Sequence, residues 1–509
     1  MKFLEERIFT KVKSLFESVP RNKRLTFANE RKESSIPGKD KVAAGIMESV
    51  GLAAIIDIVE KSGLVDLTEI LQYRITDESL SVFNANGSFR KVQKSKLIQK
   101  LKLVPIDSLQ EYIAIVDMGM IWRMSTPTVE DREKSDASIY TWSDFVNKII
   151  NIVISRHSHA TKIIMVNDPY NLAYSIKDDE RERRKHGNSV IPRVFPKLKD
   201  KFPSHTDFNT FLKSDDNKCR LQTLIKNELI RLRSSFTMEM MYSCAKAVYD
   251  ISKNRETTEF ICDQFEADTI MFSIYHKIRT YDDDTLVVID AADTDCYAQS
   301  AAISKLISGP LAIKRKEQLI KCDELCSSNI ADIIIQFYTM TGCDSNNGFY
   351  GHGKNSIFEK LTKVARFRDM IKDVGKVLPL PDATRKLMKS FVIEVIYGDS
   401  KSVTSAEARA AKWKTLKKKS TLRLCPDDDT LNHYCDRANY LSYIQLHPEL
   451  YVHPPPIGHC RPIRNTLPTL PSDLMIHSLD NSIDNVSSSS DGGESDEEES
   501  SGDDMDAIE

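Results

Sequence analysis

LVVIDAADTDCYAQSAAI, residues 286–303, carries the clearest fold signal in the chain. Its first four residues form a continuous apolar run, which is typical of a short strand buried on both faces of a parallel sheet. Asp293 and Asp295 follow just beyond this run. Two aspartates separated by one residue at a strand end are placed to bracket a divalent cation with oxygen ligands. The alternative interpretation of this stretch is an ordinary acidic turn.

Two earlier apolar runs also end in an acid. Residues 113–116 (IAIV) lead into Asp117, and residues 163–166 (IIMV) lead into Asn167 and Asp168, with a helical pattern between the two runs. Strand, helix and strand in this order predict a βαβ unit. Open α/β sheets place their ligand sites at the carboxyl ends of the strands. We therefore expect the two aspartates to converge, although each alone would more often be a helix cap or a turn residue.

Three further acids complete an ordered series. Glu266 and Asp268 lie in QFEADTIMF (264–272), and they could face one metal only at the first turn of a helix, where negative charge suits the helix dipole. Asp344 follows the apolar stretch IIIQFYTMTGCD (333–344), which predicts a buried strand or a short helix ended by Gly342.

A glycine-rich turn follows Asp344. Gly351, Gly353 and Lys354 lie in GFYGHGKNS (348–356), and glycine permits backbone conformations and close approaches that a Cβ would block. Such a turn could hold a phosphodiester backbone through its N–H groups and the lysine. We therefore predict a nucleic-acid contact at these three residues.

TGCD, followed by GxGK and an amphipathic helix, resembles the segment with which flap endonucleases and their PIN-like relatives grip the duplex backbone. The series EADT, DTD and TGCD is more closely similar to that of uncharacterised, often transposon-associated animal proteins. The resemblance implies an α/β, PIN-like fold with a central parallel sheet flanked by helices and with helical extensions at both ends. It also implies that seven carboxylates bind two Mg²⁺ or Mn²⁺ ions. The first ion would be held by Asp117, Asp168, Glu266 and Asp268, and the second would be held or shared by Asp293, Asp295 and Asp344.

The resemblance also assigns roles to basic residues after Asp168. The stretch IKDDERERRKHG (176–187) is similar to a family segment in which a lysine and arginines follow the acid on a helix entering the active site. Lys177, with Arg181 or Arg183, would polarise the scissile phosphate, as ammonium and guanidinium groups do. A solvated helix with internally paired charges is the alternative for this segment.

Composition limits the class of protein and its partners. The 509 residues are 41% hydrophobic, which suffices for a sizeable core, and no apolar run approaches the roughly 20 residues that span a bilayer. Eleven Asp and Glu residues and no Lys or Arg lie in 484–509, so the remainder carries 71 basic and 63 acidic residues. A mildly basic body suits a partner such as DNA or RNA. With the basic stretch AEARAAKWKTLKKK (406–419) and no secretory signal, we expect an intracellular protein in the nucleus rather than the cytoplasm.

The chain divides into four predicted regions. They are a helical N-terminal region without site chemistry (1–109), a PIN-like nuclease core (110–360) with a helical insertion at about 187–258, a helical C-terminal region (361–474) and a disordered acidic tail (475–509).

The function predicted for the core is divalent-metal-dependent hydrolysis of phosphodiester bonds by a structure-specific nuclease. An inactive PIN-like scaffold that binds nucleic acid or protein is the main alternative. NDP at 167–169 replaces the family's FDG, and Ser356 and Ile357 stand where a small alanine is expected, which favours the scaffold. Retention of all seven acids favours the nuclease. A third hypothesis is an interaction protein that works through its helical ends and acidic tail.

Overall fold

The computed structural model describes most of the central part of the chain. The described residues are 53–63, 65–74, 79–84, 90, 93–107, 111–127, 140–170, 194–244, 247–261, 264, 266–417 and 420–450. The predicted acidic tail, 475–509, lies outside them.

A mixed eight-stranded sheet forms the centre of the fold, in the order β5-β4-β3-β2-β1-β6-β7-β8. Its five middle strands, β3, β2, β1, β6 and β7, are parallel, and β4, β5 and β8 add antiparallel edges. The predicted α/β class with a central parallel sheet flanked by helices is confirmed, and the antiparallel edge strands make the sheet as a whole mixed. The strands are β1 (Tyr112–Asp117), β2 (Ala160–Val166), β3 (Glu239–Cys244), β4 (Ala247–Asp250), β5 (Arg255–Thr257), β6 (Leu286–Asp290), β7 (Leu311–Arg315) and β8 (Gln318–Lys321).

Strand β1 shows why apolar runs form the middle of this sheet. Ile113 and Ile115 pack into the larger apolar cluster on one face, and Ala114 and Val116 pack into a second cluster on the other. Alternate side chains of a strand point to opposite faces, so a strand that is covered on both sides needs a continuous apolar run. The runs predicted at β1, β2 and β6 are therefore confirmed.

Helices cover both faces of the sheet. Those before β6 are α1 (53–62), α2 (Leu67–Leu71), a 3₁₀ helix (Ser95–Lys100), α3 (Met118–Ser125), α4 (Trp142–Arg156), α5 (His205–Leu212), α6 (Asp215–Arg231) and α7 (Ala267–Arg279). The insertion predicted as helical over 187–258 thus holds α5 and α6, but residues 239–257 form the three strands at one edge of the sheet. Pairing of β3 with β2 places them there.

The helices after β6 include the apolar stretch before Asp344. They are α8 (Thr294–Leu306), α9 (Ser328–Ala331), α10 (Ile334–Met340), α11 (Lys354–Lys363), α12 (Ala365–Ile371), α13 (Asp382–Phe391), α14 (Ser405–Thr415) and α15 (Asp428–Leu446). Residues Val392–Ile396 continue α13 as a π-helical turn. The stretch before Asp344 is therefore a short buried helix, α10, and not a strand.

The first described helices, α1 and α2, pack against α14. Trp413 of α14 is fully buried and its indole N–H donates to Glu60 of α1 at 2.9 Å. Leu67 and Leu71 of α2 belong to the same small apolar cluster. Trp413, which lies in the basic stretch, is therefore a core residue. None of the helices in the described part of the chain combines the length and apolar character of a bilayer-crossing helix.

Candidate functional site

Asp117 and Asp168, here called the strand-end pair, lie at the carboxyl ends of neighbouring parallel strands. Asp117 ends β1 and caps α3, where its carboxylate accepts the Gly119 N–H at 2.8 Å. Asp168 follows β2 by two residues. Burial, followed by the negative charge of Asp168, raises the pKa of Asp117 to about 6, while the Gly119 hydrogen bond opposes the rise. The two carboxylates are thus close enough to repel each other.

Asp168 also connects the strand ends to helix α7. Its carboxylate accepts the Ala267 backbone N–H at 2.8 Å. Glu266 is the N-cap residue of α7, and Asp268 lies in its first turn. Both acids could face one site only from the start of a helix, and the structure places them there.

Asp293, Asp295 and Asp344 form a second group, here called the lysine-bound trio. Asp293 caps helix α8 by accepting the Asp295 N–H at 3.3 Å, and Asp295 lies in the first turn. Single carboxylate oxygens of Asp268, Asp293 and Asp295 all lie within 4.8 Å of one another. Burial, and then the charge of Asp293, raises the pKa of Asp295 to about 7.

Lys94 binds all three members of the trio. Its Nζ lies 2.5 Å from Asp344 Oδ1, 3.3 Å from Asp295 Oδ1 and 3.8 Å from Asp293 Oδ1. Burial alone would lower the pKa of the lysine, yet the three carboxylates raise it well above its usual value. The N-terminal region, 1–109, was predicted to contribute no residue to the site, and the contacts of Lys94 correct that prediction. No motif around Lys94 could have identified this residue.

Tyr338 and Cys296 are two further side chains of the site that the sequence did not indicate. The hydroxyl of Tyr338, on buried helix α10, donates a short hydrogen bond to Asp295. The Cys296 thiol donates to Asp268 at 3.4 Å, and burial followed by the charge of Asp268 raises its pKa well above the usual value. Cys296 therefore stays a neutral thiol, and the ligands that the site offers are oxygens.

The loop that carries Asp344 is fixed by contacts with helix α15. The Tyr434 hydroxyl donates to the carbonyls of Met340 and Asn347, at 2.8 and 3.1 Å, and the Arg437 guanidinium donates to the Ser345 carbonyl. Gly342, with φ of 102°, adopts a left-handed conformation that favours glycine. Helix α15 therefore has a packing role, because it holds the Asp344 loop against α10.

In the glycine turn, Gly351 and Gly353 are arranged as predicted, whereas Lys354 is not. Gly351 and Gly353 are exposed, so their backbone is accessible. Lys354 is buried, and its ammonium donates inward to the Thr341 hydroxyl at 2.8 Å and to the Tyr338 carbonyl at 3.1 Å. Burial lowers the pKa of Lys354 to about 7. The lysine thus braces the turn from inside, and its side chain does not offer the predicted phosphate contact.

All seven predicted acids lie on the side of the sheet where the parallel strands have their carboxyl ends. They come from five separate segments of the chain. The basic residues predicted to polarise the phosphate, Lys177 and Arg181, lie outside the described residues. Carboxylate oxygens are the ligands that Mg²⁺ and Mn²⁺ prefer. Because the acids are partly or fully buried, and because burial and neighbouring negative charge raise the pKa of Asp117 and of Asp295, the donor set fits a divalent cation in chemistry and in charge.

Comparisons with known proteins give likenesses to solved structures alone. No protein-family model matches the sequence, and no curated protein matches it. A solved structure described as the catalytic core of Rad2 in complex with DNA substrate aligns with 71% of this chain and 100% of its own. The sequences are 12% identical over that alignment, and the TM-score is 0.32.

Proposed function

We propose that the protein is a divalent-metal-dependent nuclease that hydrolyses phosphodiester bonds in DNA or RNA of particular structure. The observation that carries the proposal is the convergence of seven carboxylates from five chain segments, two of them with a pKa raised to about 6 and about 7. Acids that repel one another inside a fold favour a site for a cation. Bound divalent ions would polarise the phosphate and stabilise charge on the leaving oxygen.

The residues of the chain would position both the metal and the substrate. Backbone N–H groups of Gly119 and Ala267 orient the carboxylates of the strand-end pair before any ligand arrives. Preorganised donors of this kind avoid a reorganisation cost during the reaction. The exposed backbone at Gly351 and Gly353 would hold a phosphate of the substrate, and Lys177 with Arg181 would polarise the scissile group. One divalent ion would be held by Asp117, Asp168, Glu266 and Asp268.

Cleavage of end-labelled flap, hairpin and single-stranded DNA and RNA, each with Mg²⁺ or Mn²⁺, tests this proposal. The wild type is compared with Asp293→Ala plus Asp295→Ala, and with Asp369→Ala, an exposed acid, as the matched control. We expect metal-dependent cutting of at least one substrate by the wild type and the control. The double variant should cut at background level, because two of the seven oxygen donors and the N-cap of α8 are removed.

Two results would contradict the nuclease. Cutting by the double variant at the wild-type rate would show that the activity does not use these acids. Absence of both cutting and Mn²⁺ binding in the wild type would favour an inactive scaffold, and the contact of Lys94 with three of the acids is the observation that favours this second candidate. Electrophoretic binding assays with the same nucleic acids would then be the test of the scaffold.

A further inference from the structure

We infer that the Lys94 ammonium takes the place of the second cation in this centre, so that the protein binds one divalent ion and not two. The inference rests on the proposed function and changes its stoichiometry. Its basis is the contact of one ammonium with three carboxylates, Asp293, Asp295 and Asp344, which are the acids that the family resemblance gives to a second ion.

The backbone around Lys94 is anchored beside these acids. Lys94 begins a 3₁₀ helix, Ser95–Lys100, whose Leu97 and Ile98 are buried in the main apolar cluster. The ammonium of Lys100 also pairs with Glu359 of α11 at 3.0 Å. The lysine is therefore held beside the trio by the fold and not by its own side chain alone.

The chain after the 3₁₀ helix is fixed to the edge of the sheet. Lys102 N–H donates to the Leu325 carbonyl at 2.7 Å, Ile106 N–H donates to the Leu319 carbonyl at 2.8 Å, and Pro105 forms an antiparallel bridge with Ile320 of β8. Residues 93–107 thus follow the sheet edge as an ordered strap. Withdrawing the backbone of Lys94 from the acids would break these contacts.

An ammonium in this position competes with a second divalent ion for the same carboxylate oxygens. The side chain of Lys94 is 17% exposed and that of Asp295 is 9% exposed, so little water screens the interaction. A divalent ion that shared the Asp295 oxygen would lie roughly 5 Å from the ammonium, because metal–oxygen distances are about 2.1 Å. The two cations would repel each other strongly at that distance.

The single divalent ion would be held by the other four acids, of which Asp268 also has an oxygen within 4.8 Å of oxygens of Asp293 and Asp295. Asp117 and Asp168 are oriented by backbone N–H groups, and Glu266 and Asp268 lie at the start of α7, next to the Ala267 N–H that Asp168 accepts. A lysine beside one divalent ion provides positive charge that a second ion would otherwise bring to the seven acids. Unlike an ion, it cannot be removed by a chelator.

Counting bound Mn²⁺ by calorimetry and by electron paramagnetic resonance tests the inference on the full chain. We expect one Mn²⁺ per wild-type molecule and two per Lys94→Met molecule, because methionine has nearly the same length and no charge. Lys94→Arg should bind one ion, since it keeps the cation. Lys96→Met, an exposed lysine on the same 3₁₀ helix, is the matched control and should also bind one.

Any other number of bound Mn²⁺ ions overturns either this inference or the proposed metal-dependent function. Two ions in the wild type would overturn the inference even if Lys94→Met failed to fold, and the nuclease proposal would stand. One ion in a folded Lys94→Met protein would also overturn the inference alone. No ion in any variant would overturn the metal-dependent function itself.

Discussion

The strand-end pair and the lysine-bound trio bring acids to the same edge of the sheet by different means. In the pair, Asp117 and Asp168 accept backbone N–H groups of Gly119 and Ala267, which belong to helix starts. In the trio, the Lys94 side chain binds all three acids, which lie between about 200 and 250 residues later in the sequence. The partners of the pair are therefore backbone groups at the starts of α3 and α7, whereas the trio shares the side chain of one distant residue. The difference indicates that the pair is preorganised for an added cation, whereas the trio already has one.

Single replacements in the two groups give the largest expected effect. Asp117→Asn and Asp295→Asn should each lower cleavage by more than about 100-fold, the upper end for residues that merely orient metal ligands. Asparagine keeps an oxygen acceptor for the Gly119 N–H or the Tyr338 hydroxyl, so folding should survive. Initial rates on the best substrate measure the effect. A large loss at Asp117 with none at Asp295 would show that only the strand-end pair takes part in the chemistry.

Removing the lysine should destabilise the metal-free protein. Lys94→Met leaves three carboxylates without their shared cation, and breaking a buried ion pair from one side costs about 3 kcal/mol or more. Denaturant unfolding at pH 8 measures the loss, with Lys96→Met expected within about 0.5 kcal/mol of the wild type because it is exposed. Equal stability of Lys94→Met and the wild type would contradict the contact of Lys94 with the trio.

The pH dependence of stability should separate the trio from ordinary acids. The pKa of Asp295 is raised to about 7 in the fold, against about 3.9 in an unfolded chain, so the folded protein binds this proton more tightly. The protonated carboxyl of Asp295 therefore stabilises the folded protein fully below about pH 4, and this contribution is lost as the pH rises through 7. The metal-free wild type should therefore lose stability between pH 5 and 8 relative to Asp295→Asn, by on the order of a few kcal/mol. Parallel pH profiles for the two proteins would contradict the raised pKa.

The glycine turn offers the smallest effect on the fold and a separate test of substrate binding. Gly353 has an ordinary φ of −81°, and a Cβ built there meets nothing within 4 Å. Gly353 is also the N-cap residue of α11, where alanine is less favourable, so Gly353→Ala should lower stability by no more than about 1 kcal/mol while weakening nucleic-acid binding, if a phosphate approaches this backbone. A binding isotherm with the best substrate measures this. Unchanged binding would remove Gly353 from the interface.

Local sequence patterns correctly predicted the strands that precede Asp117 and Asp168 and the helix that begins after Glu266. Apolar runs that end in Asp117 and near Asp168 became parallel strands, because a strand buried on both faces needs a continuous apolar run. Glu266 and Asp268 are at a helix start, where the sequence required them to be. Asp117 has a backbone partner two residues away, whereas the partner of Asp168 is the Ala267 N–H, 99 residues later in the chain.

Contacts between distant segments could not be predicted. Lys94 lies in a polar stretch with no motif, and its place beside Asp344 depends on how residues 93–107 pair with the edge of the sheet. The inward direction of Lys354 depends on helix α10, which supplies the Tyr338 carbonyl. Residues 239–257 became strands because β2 offered an edge, and such tertiary pairing overrides local propensity.

Anomalous diffraction from crystals of the wild type grown with Mn²⁺ tests the central claim most directly, because it locates the ion. We expect one anomalous peak within ligand distance of Asp117, Asp168 and Asp268, with the Lys94 ammonium still in contact with Asp344. A second peak among Asp293, Asp295 and Asp344 would contradict the role of Lys94. Absence of any peak near the seven acids, in crystals that contain Mn²⁺, would contradict the metal centre as a whole.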